Sequence, residues 1–174
     1  MEKGYIQVYT GNGKGKTTAM LGLTVRAVGA GLRVYIGQFI KDMEYHEIAA
    51  LRNRFPEVAV RQYGNGKGCF IGRNPAQEDI DAAKAGLLEG TEALESGKYD
   101  VVIMDEINVA VHLKLLTTDD VLGMIARKPD SVELVLTGRG APQAVINAAD
   151  LVSEVREIKH YYAAGVQARD GIER

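Results

Sequence analysis

A chain of 174 residues, 46% apolar and 25% charged, is long enough to bury a core and has the balance of an ordinary soluble domain. A formal charge of −2 and a pI near 5.9 argue against a general nucleic-acid binder, which would need a basic stripe. The single cysteine, Cys69, excludes an intrachain disulfide, and no apolar run approaches the roughly 18 residues of a membrane span. Neither nucleic acid nor membrane is an expected partner. The opening MEKGYIQVYTGNGKG has no signal-peptide core, and the expected location is the cytoplasm.

Tyr5 to Tyr9 (YIQVY) reads as a short strand closed by a glycine loop. From Lys16 the pattern turns helical, with Met20, Leu23, Ala27 and Val28 on one face and Gly29 to Gly31 as the stop. Leu32 to Phe39 reads as a second strand, Glu44 to Arg54 as a helix halted by Pro56, and Val58 to Tyr63 as a third strand. The glycine-rich stretch Gly64 to Asn74 (GNGKGCFIGRN) cannot be regular throughout. A long helix follows, with Pro75 in its first turn, acids near its start, and a stripe of Ile80, Ala83, Leu87 and Leu94. Asp100 to Met104 is a buried-type strand, and Thr118 to Arg127 a helix capped by Thr117 or Thr118. Val132 to Leu136 is a further strand, Pro142 to Ala149 a short helix, and Leu151 to Ile158 a last strand. Strands alternating with helices predict an α/β fold, a mostly parallel sheet with helices on both faces. No linker or repeat interrupts the pattern, so residues 1–174 are expected to form one domain.

The chemistry concentrates in four places. TGNGKGKTT ends as a Walker A loop ends, with Gly15, Lys16 and Thr17, but Thr10 stands where that motif has its first glycine. Gly11 comes one residue late, so the front of the loop is short. Strand, glycine turn and helix form the setting in which backbone N–H groups converge on phosphate. Lys16 would neutralise phosphate oxygens, Thr17 would offer its hydroxyl to Mg2+, and Lys14 and Thr18 add donors. VVIMDE, Val101 to Glu106, has the form of a Walker B strand, whose terminal carboxylate holds Mg2+. If the strand continues through both acids, Asp105 and Glu106 point opposite ways, and only one faces the metal. LTGRGAP places Arg139 at the same sheet edge, as a planar fork for phosphate. In the second glycine loop, Phe70 either meets a ligand or tethers the loop to the core. His46, His112 and His160 show no metal-ligand spacing with Cys69 and read as structural or surface residues.

Taken together, TGNGKGKTTA, QFIK, the DE pair, LTGRGAP, ADLVSEV and KHYYAAGVQARDGIE resemble the ATP:corrinoid adenosyltransferases of cobalamin synthesis and salvage, in order from the first strand to the C-terminus. The resemblance implies a P-loop NTPase-like, RecA-like fold and a homodimer. It implies transfer of the 5′-deoxyadenosyl group of ATP to the Co(I) of a reduced corrinoid, with the triphosphate leaving whole. Gly11, Asn12, Gly13, Lys14, Gly15, Lys16, Thr17 and Thr18 would bind the triphosphate. Glu106 would contact Mg2+ directly or through water, Asp105 would support it, and Lys41 and Arg139 would reach phosphate. Lys16 and Glu106 are the candidate catalytic residues, and Phe70 is the candidate corrin contact. An electron-donor protein that reduces Co(II) is a further expected partner. Some relatives carry an N-terminal extension expected to cover the site, whereas four residues precede the first strand here. An ordinary P-loop ATPase or kinase, or a nucleotide-gated module without catalysis, would share the loop and is separated from transfer by its products.

Overall fold

The structure, a computed structural model, describes residues 2–41, 45–64 and 74–173. Cys69 and Phe70, and with them the expectation for the second glycine loop, lie outside these residues. The strands are β1 (Ile6–Thr10), β2 (Val34–Phe39), β3 (Val58–Tyr63), β4 (Val101–Asp105), β5 (Glu133–Thr137) and β6 (Leu151–Glu154). They form one sheet in the order β3-β2-β4-β5-β1-β6, and every pairing is parallel. The helices are α1 (Lys16–Gly29), α2 (His46–Arg54), α3 (Gln77–Glu95), α4 (Ile107–His112), α5 (Thr118–Ala126) and α6 (Gln143–Ala148). This is the expected α/β fold of RecA-like type: β5 lies between the glycine-loop strand β1 and the acidic strand β4.

The strand sequences explain the two-sided core. The central strands β2, β4 and β5 are apolar over most of their length, with polar side chains at or near their C-terminal ends, and the pleat divides the apolar positions between the faces. Val101 and Ile103 of β4, Val135 of β5 and Ile36 of β2 pack with Met20 and Ala27 of α1 and Ile48 and Leu51 of α2. Val102, Met104, Leu134, Leu136 and Phe39 pack on the opposite face with Ala83 and Leu94 of α3 and Val121 and Met124 of α5. The stripe expected on α3 is therefore its buried side, with Ile80 and Leu87 at the margin.

Four local expectations change. Pro75 lies outside the long helix: Ala76 is the N-cap, and the Asp79 carboxylate accepts the Ala76 N–H at 3.2 Å. The last strand ends at Glu154 rather than Ile158, because the chain beyond it turns over the glycine loop instead of running along the sheet edge. β4 extends to Asp105 and then stops, since Glu106 takes a left-handed backbone (φ 62°) and caps a helix that the sequence reading lacked, α4. Its six residues, INVAVH, are too few to show a helical period, and three of them are β-branched.

Candidate active site

The loop after β1 opens at the C-terminal edge of the sheet, where open α/β sheets bind their ligands. Gly11 has φ 98°, and a Cβ there would meet the Val155 carbonyl oxygen at 2.4 Å. Gly13 donates its N–H to the same oxygen at 2.8 Å, and Val155 donates its N–H to the Thr10 carbonyl at 2.8 Å. The short front of the loop is thus clamped by the chain leaving β6. Thr10 is a strand residue whose hydroxyl accepts the Ala141 N–H at 3.2 Å, tying this loop to LTGRGAP. Gly15, at φ 128°, turns the chain into α1, whose first turn holds no acid, so its positive end is not neutralised locally. Inside the loop the Lys16 ammonium donates to the carbonyls of Gly11 and Gly13 at 2.6 and 2.8 Å.

Pleat parity brings Asp105 to the loop. Asp105 shares the parity of Val101 and Ile103 and so belongs to the α1 face. Gln38 follows Ile36, and Thr137 follows Val135, with the same result. These side chains converge. Asp105 is fully buried; its Oδ1 accepts from Thr137 Oγ1 at 2.7 Å and Thr17 Oγ1 at 3.3 Å. Its Oδ2 accepts from Lys41 Nζ at 3.0 Å and Gln38 Nε2 at 3.1 Å. Gln38 and Thr137, which the sequence reading did not single out, complete this network. Lys41 follows Ile40, a non-glycine residue with φ 68°, whose N–H is fixed on the Tyr63 carbonyl at 3.1 Å. Lys41 therefore pairs with Asp105 here, whereas the expectation directed it at phosphate.

The loop opens into a cavity of about 540 Å³ whose walls carry Lys14, Lys16, Thr17, Lys41, Glu106 and Arg139. The segments far apart in the sequence that were expected to meet do meet here. Asn12, Gly13, Gly15 and Thr18 also line this cavity. The opposite wall comes from the C-terminal segment: Glu157, His160, Ile172 and Glu173 line it, and Lys14 donates to the Ile172 carbonyl at 3.2 Å. His46, at the start of α2, and His160, on this wall, both read as structural or surface residues, line the cavity, and His112 does not. The signal for His160 lay in the block KHYYAAGVQARDGIE, which has no regular period and no motif of its own.

Residues 2–174 match the family model described as ATP:corrinoid adenosyltransferase BtuR/CobO/CobP. The chain belongs to the ATP:corrinoid adenosyltransferase family. It is 37% identical over 172 residues to the corrinoid adenosyltransferase of Pseudomonas aeruginosa, covering 99% of this chain and 84% of that one. It is 35% identical to corrinoid adenosyltransferase CobA of Salmonella typhimurium and 34% identical to the corrinoid adenosyltransferase of Escherichia coli. Each of those matches covers 99% of this chain and 86% of the relative. No helix among the described residues is long and apolar enough to cross a membrane.

In this adenosyltransferase the charged groups of the cavity shape one another. Burial pulls the Lys16 ammonium below its usual range and Arg139 adds to this, while Glu106 and Asp105 oppose it. Burial also pulls on Lys41, but Asp105 and Glu106 outweigh it and hold that ammonium above its usual range. Glu106 is pushed up, first by burial and then by the Asp105 charge, against Lys41, Lys16 and Arg139. A carboxyl group raised in the fold holds its proton more tightly than in the unfolded chain. It takes nothing from stability below the unfolded value near 4.5; the loss builds as pH rises from there and is complete above the raised value. Glu106→Gln should therefore melt higher than wild type at pH 8 and equal to it near pH 4. A thermal melt at the two pH values checks this, and a lower melting point at pH 8 would contradict it.

Among the described residues, no group of three or more His, Cys, Asp or Glu side chains could hold a metal ion. The site nevertheless suits Mg2+, which takes one or two carboxylates and completes its shell with water and substrate phosphate. Thr17, Asp105 and Glu106 offer hard oxygen donors. The position between Thr17 and Asp105 already attracts a cation, since the Lys41 ammonium stands 3.4 Å from Thr17 Oγ1 and 3.0 Å from Asp105 Oδ2.

Proposed function

We propose that this chain transfers the 5′-deoxyadenosyl group of ATP to the Co(I) of a reduced corrinoid and releases triphosphate. Family membership supports the reading, and one observation of the site carries it. Lys14, Lys16, Lys41 and Arg139 line one cavity at the mouth of the phosphate loop and supply cationic donors suited to a triphosphate, while Glu47, Glu106, Glu157 and Glu173 line it as well. Co(I) supplies the electron pair of the new Co–C5′ bond. The C5′–O bond breaks, and its pair leaves with the triphosphate. Because Co(I) has no proton to lose, the protein's task is to orient C5′ and to neutralise the leaving group.

The residues divide that work. The loop from Gly11 to Thr18 cradles the triphosphate, and Lys16 contacts its oxygens in the ground state and as they gain charge. Lys14, Lys41 and Arg139 hold the outer oxygens, Arg139 as a planar fork. Thr17, Asp105 and Glu106 hold Mg2+, which adds further positive charge beside the leaving triphosphate. Phe70, outside the described residues, is the candidate corrin contact. Two copies of the chain form the working dimer in the cytoplasm, and an electron-donor protein supplies Co(I) from Co(II). Incubation with ATP, Mg2+ and chemically reduced cobalamin tests the reading by visible absorbance. Conversion of the Co(I) spectrum to that of an alkylated corrinoid is expected, and a Co(I) spectrum that persists with ATP present would contradict it.

A further inference from the structure

Asp105 would be a buried, uncompensated carboxylate in an empty site were it not for Lys41. The Lys41 side chain is 15% exposed and that of Asp105 is fully buried, and their polar atoms are 3.0 Å apart. The same ammonium is 3.4 Å from the Thr17 hydroxyl, the partner that the proposed metal position shares with Asp105. Both carboxylate oxygens are already engaged, Oδ1 by Thr137 and Thr17, Oδ2 by Gln38 and Lys41. The left-handed turn at Ile40 brings Lys41 to this point, yet Lys41 also lines the cavity and so has the phosphate side within its reach.

We propose that Lys41 is the nucleotide-free site's own counter-ion: its ammonium holds the cation position beside Thr17 and Asp105 until ATP and its divalent metal enter together, and then moves from Asp105 onto the triphosphate. The inference rests on the metal position given under the proposed function and adds the order of events there. A divalent ion alone meets a like charge about one contact distance away, which a flexible lysine has no reason to leave. A metal nucleotide brings both halves of the exchange, a cation for Asp105 and an anion for Lys41. One lysine thus keeps the buried acid paired in the empty site and grips the leaving group in the loaded one.

The test uses the whole chain and Mn2+, followed by electron paramagnetic resonance. Without nucleotide, the wild type should bind Mn2+ weakly, and Lys41→Met should bind it at least about tenfold more tightly. Adding Asp105→Asn to that variant should remove the gain. Equal Mn2+ affinity of wild type and Lys41→Met would overturn the proposal. If Lys41→Met does not fold, wild-type crystals answer the same question by anomalous scattering. Soaked in Mn2+ alone they should show no peak beside Asp105; with a non-reactive ATP analogue added, a peak should appear and Lys41 should have left Asp105. A peak beside Asp105 with Lys41 still bonded to it would overturn the proposal alone. Mn2+ bound with the nucleotide but away from Thr17 and Asp105 would overturn the metal assignment as well.

Discussion

Lys16→Ala should leave a folded protein that has lost most of its affinity for ATP and nearly all of its turnover. The ammonium lies inside the loop, donating to the carbonyls of Gly11 and Gly13, where the triphosphate is proposed to sit. A charge-assisted contact of this kind contributes about 1.5–3 kcal/mol, so affinity should fall roughly ten- to a hundredfold. Turnover should fall further, by about a hundred- to a thousandfold, because the charge on the triphosphate grows as the C5′–O bond breaks. Stability should change little. The substitution removes two hydrogen bonds, but burial holds this ammonium below its usual range, so the fold already disfavours the charge. Calorimetric titration with ATP and a thermal melt separate the two effects. Near-normal ATP affinity, or a collapse in melting temperature that explains the lost binding, would contradict the assignment.

Asp105→Ala should be the most destabilising single change at the site. It strands the donors of Lys41, Gln38, Thr137 and Thr17 around a fully buried position. Removing one partner of a buried ion pair costs about 3–5 kcal/mol, chiefly because the other charge stays behind unpaired. A loss of that size approaches the whole stability of many domains. Asp105→Asn keeps the shape but turns an acceptor towards Lys41 and Gln38 into a partial donor, so it should lie between Asp105→Ala and wild type. Urea unfolding of the three proteins gives the order directly. An Asp105→Ala protein as stable as wild type would mean that the network adds nothing to the fold.

Much of this was legible in the residues because it is local. The strands of β3 and β4 and the buried face of α3 follow from apolar patterning, and the phosphate loop follows from Gly15-Lys16-Thr17 after a strand. That Asp105 and Glu106 both reach the site was not legible. It turns on one backbone angle, the left-handed Glu106 that ends β4, and no residue type marks a left-handed glutamate in advance. Gln38 and Thr137 were hidden for a related reason, since their meeting with Asp105 depends on parallel register across three strands that are distant in sequence. The C-terminal wall is the clearest gap. Val155 bonds Thr10 and Gly13, and that bracing of the loop carries His160 and Glu157 over the cavity. A segment with neither helical nor strand period gives no hint of such a path. Resemblance, which weighs whole blocks in order, reached the family where motif reading of the loop alone stopped at nucleotide binding.

The central claim is that ATP is cleaved at C5′ and not between phosphates. A loop whose front is clamped by Val155, and whose Gly13 N–H is already engaged there, supports a grip in which the whole triphosphate is held as a leaving group with C5′ outward. Phosphorus NMR of a reaction with ATP, Mg2+ and reduced corrinoid measures this directly, with the adenosylated corrinoid quantified in parallel. The account predicts intact triphosphate in amounts equal to the adenosylated product, with little ADP. ADP and phosphate accumulating at the catalytic rate would contradict it and make the chain a hydrolase of the ordinary P-loop kind.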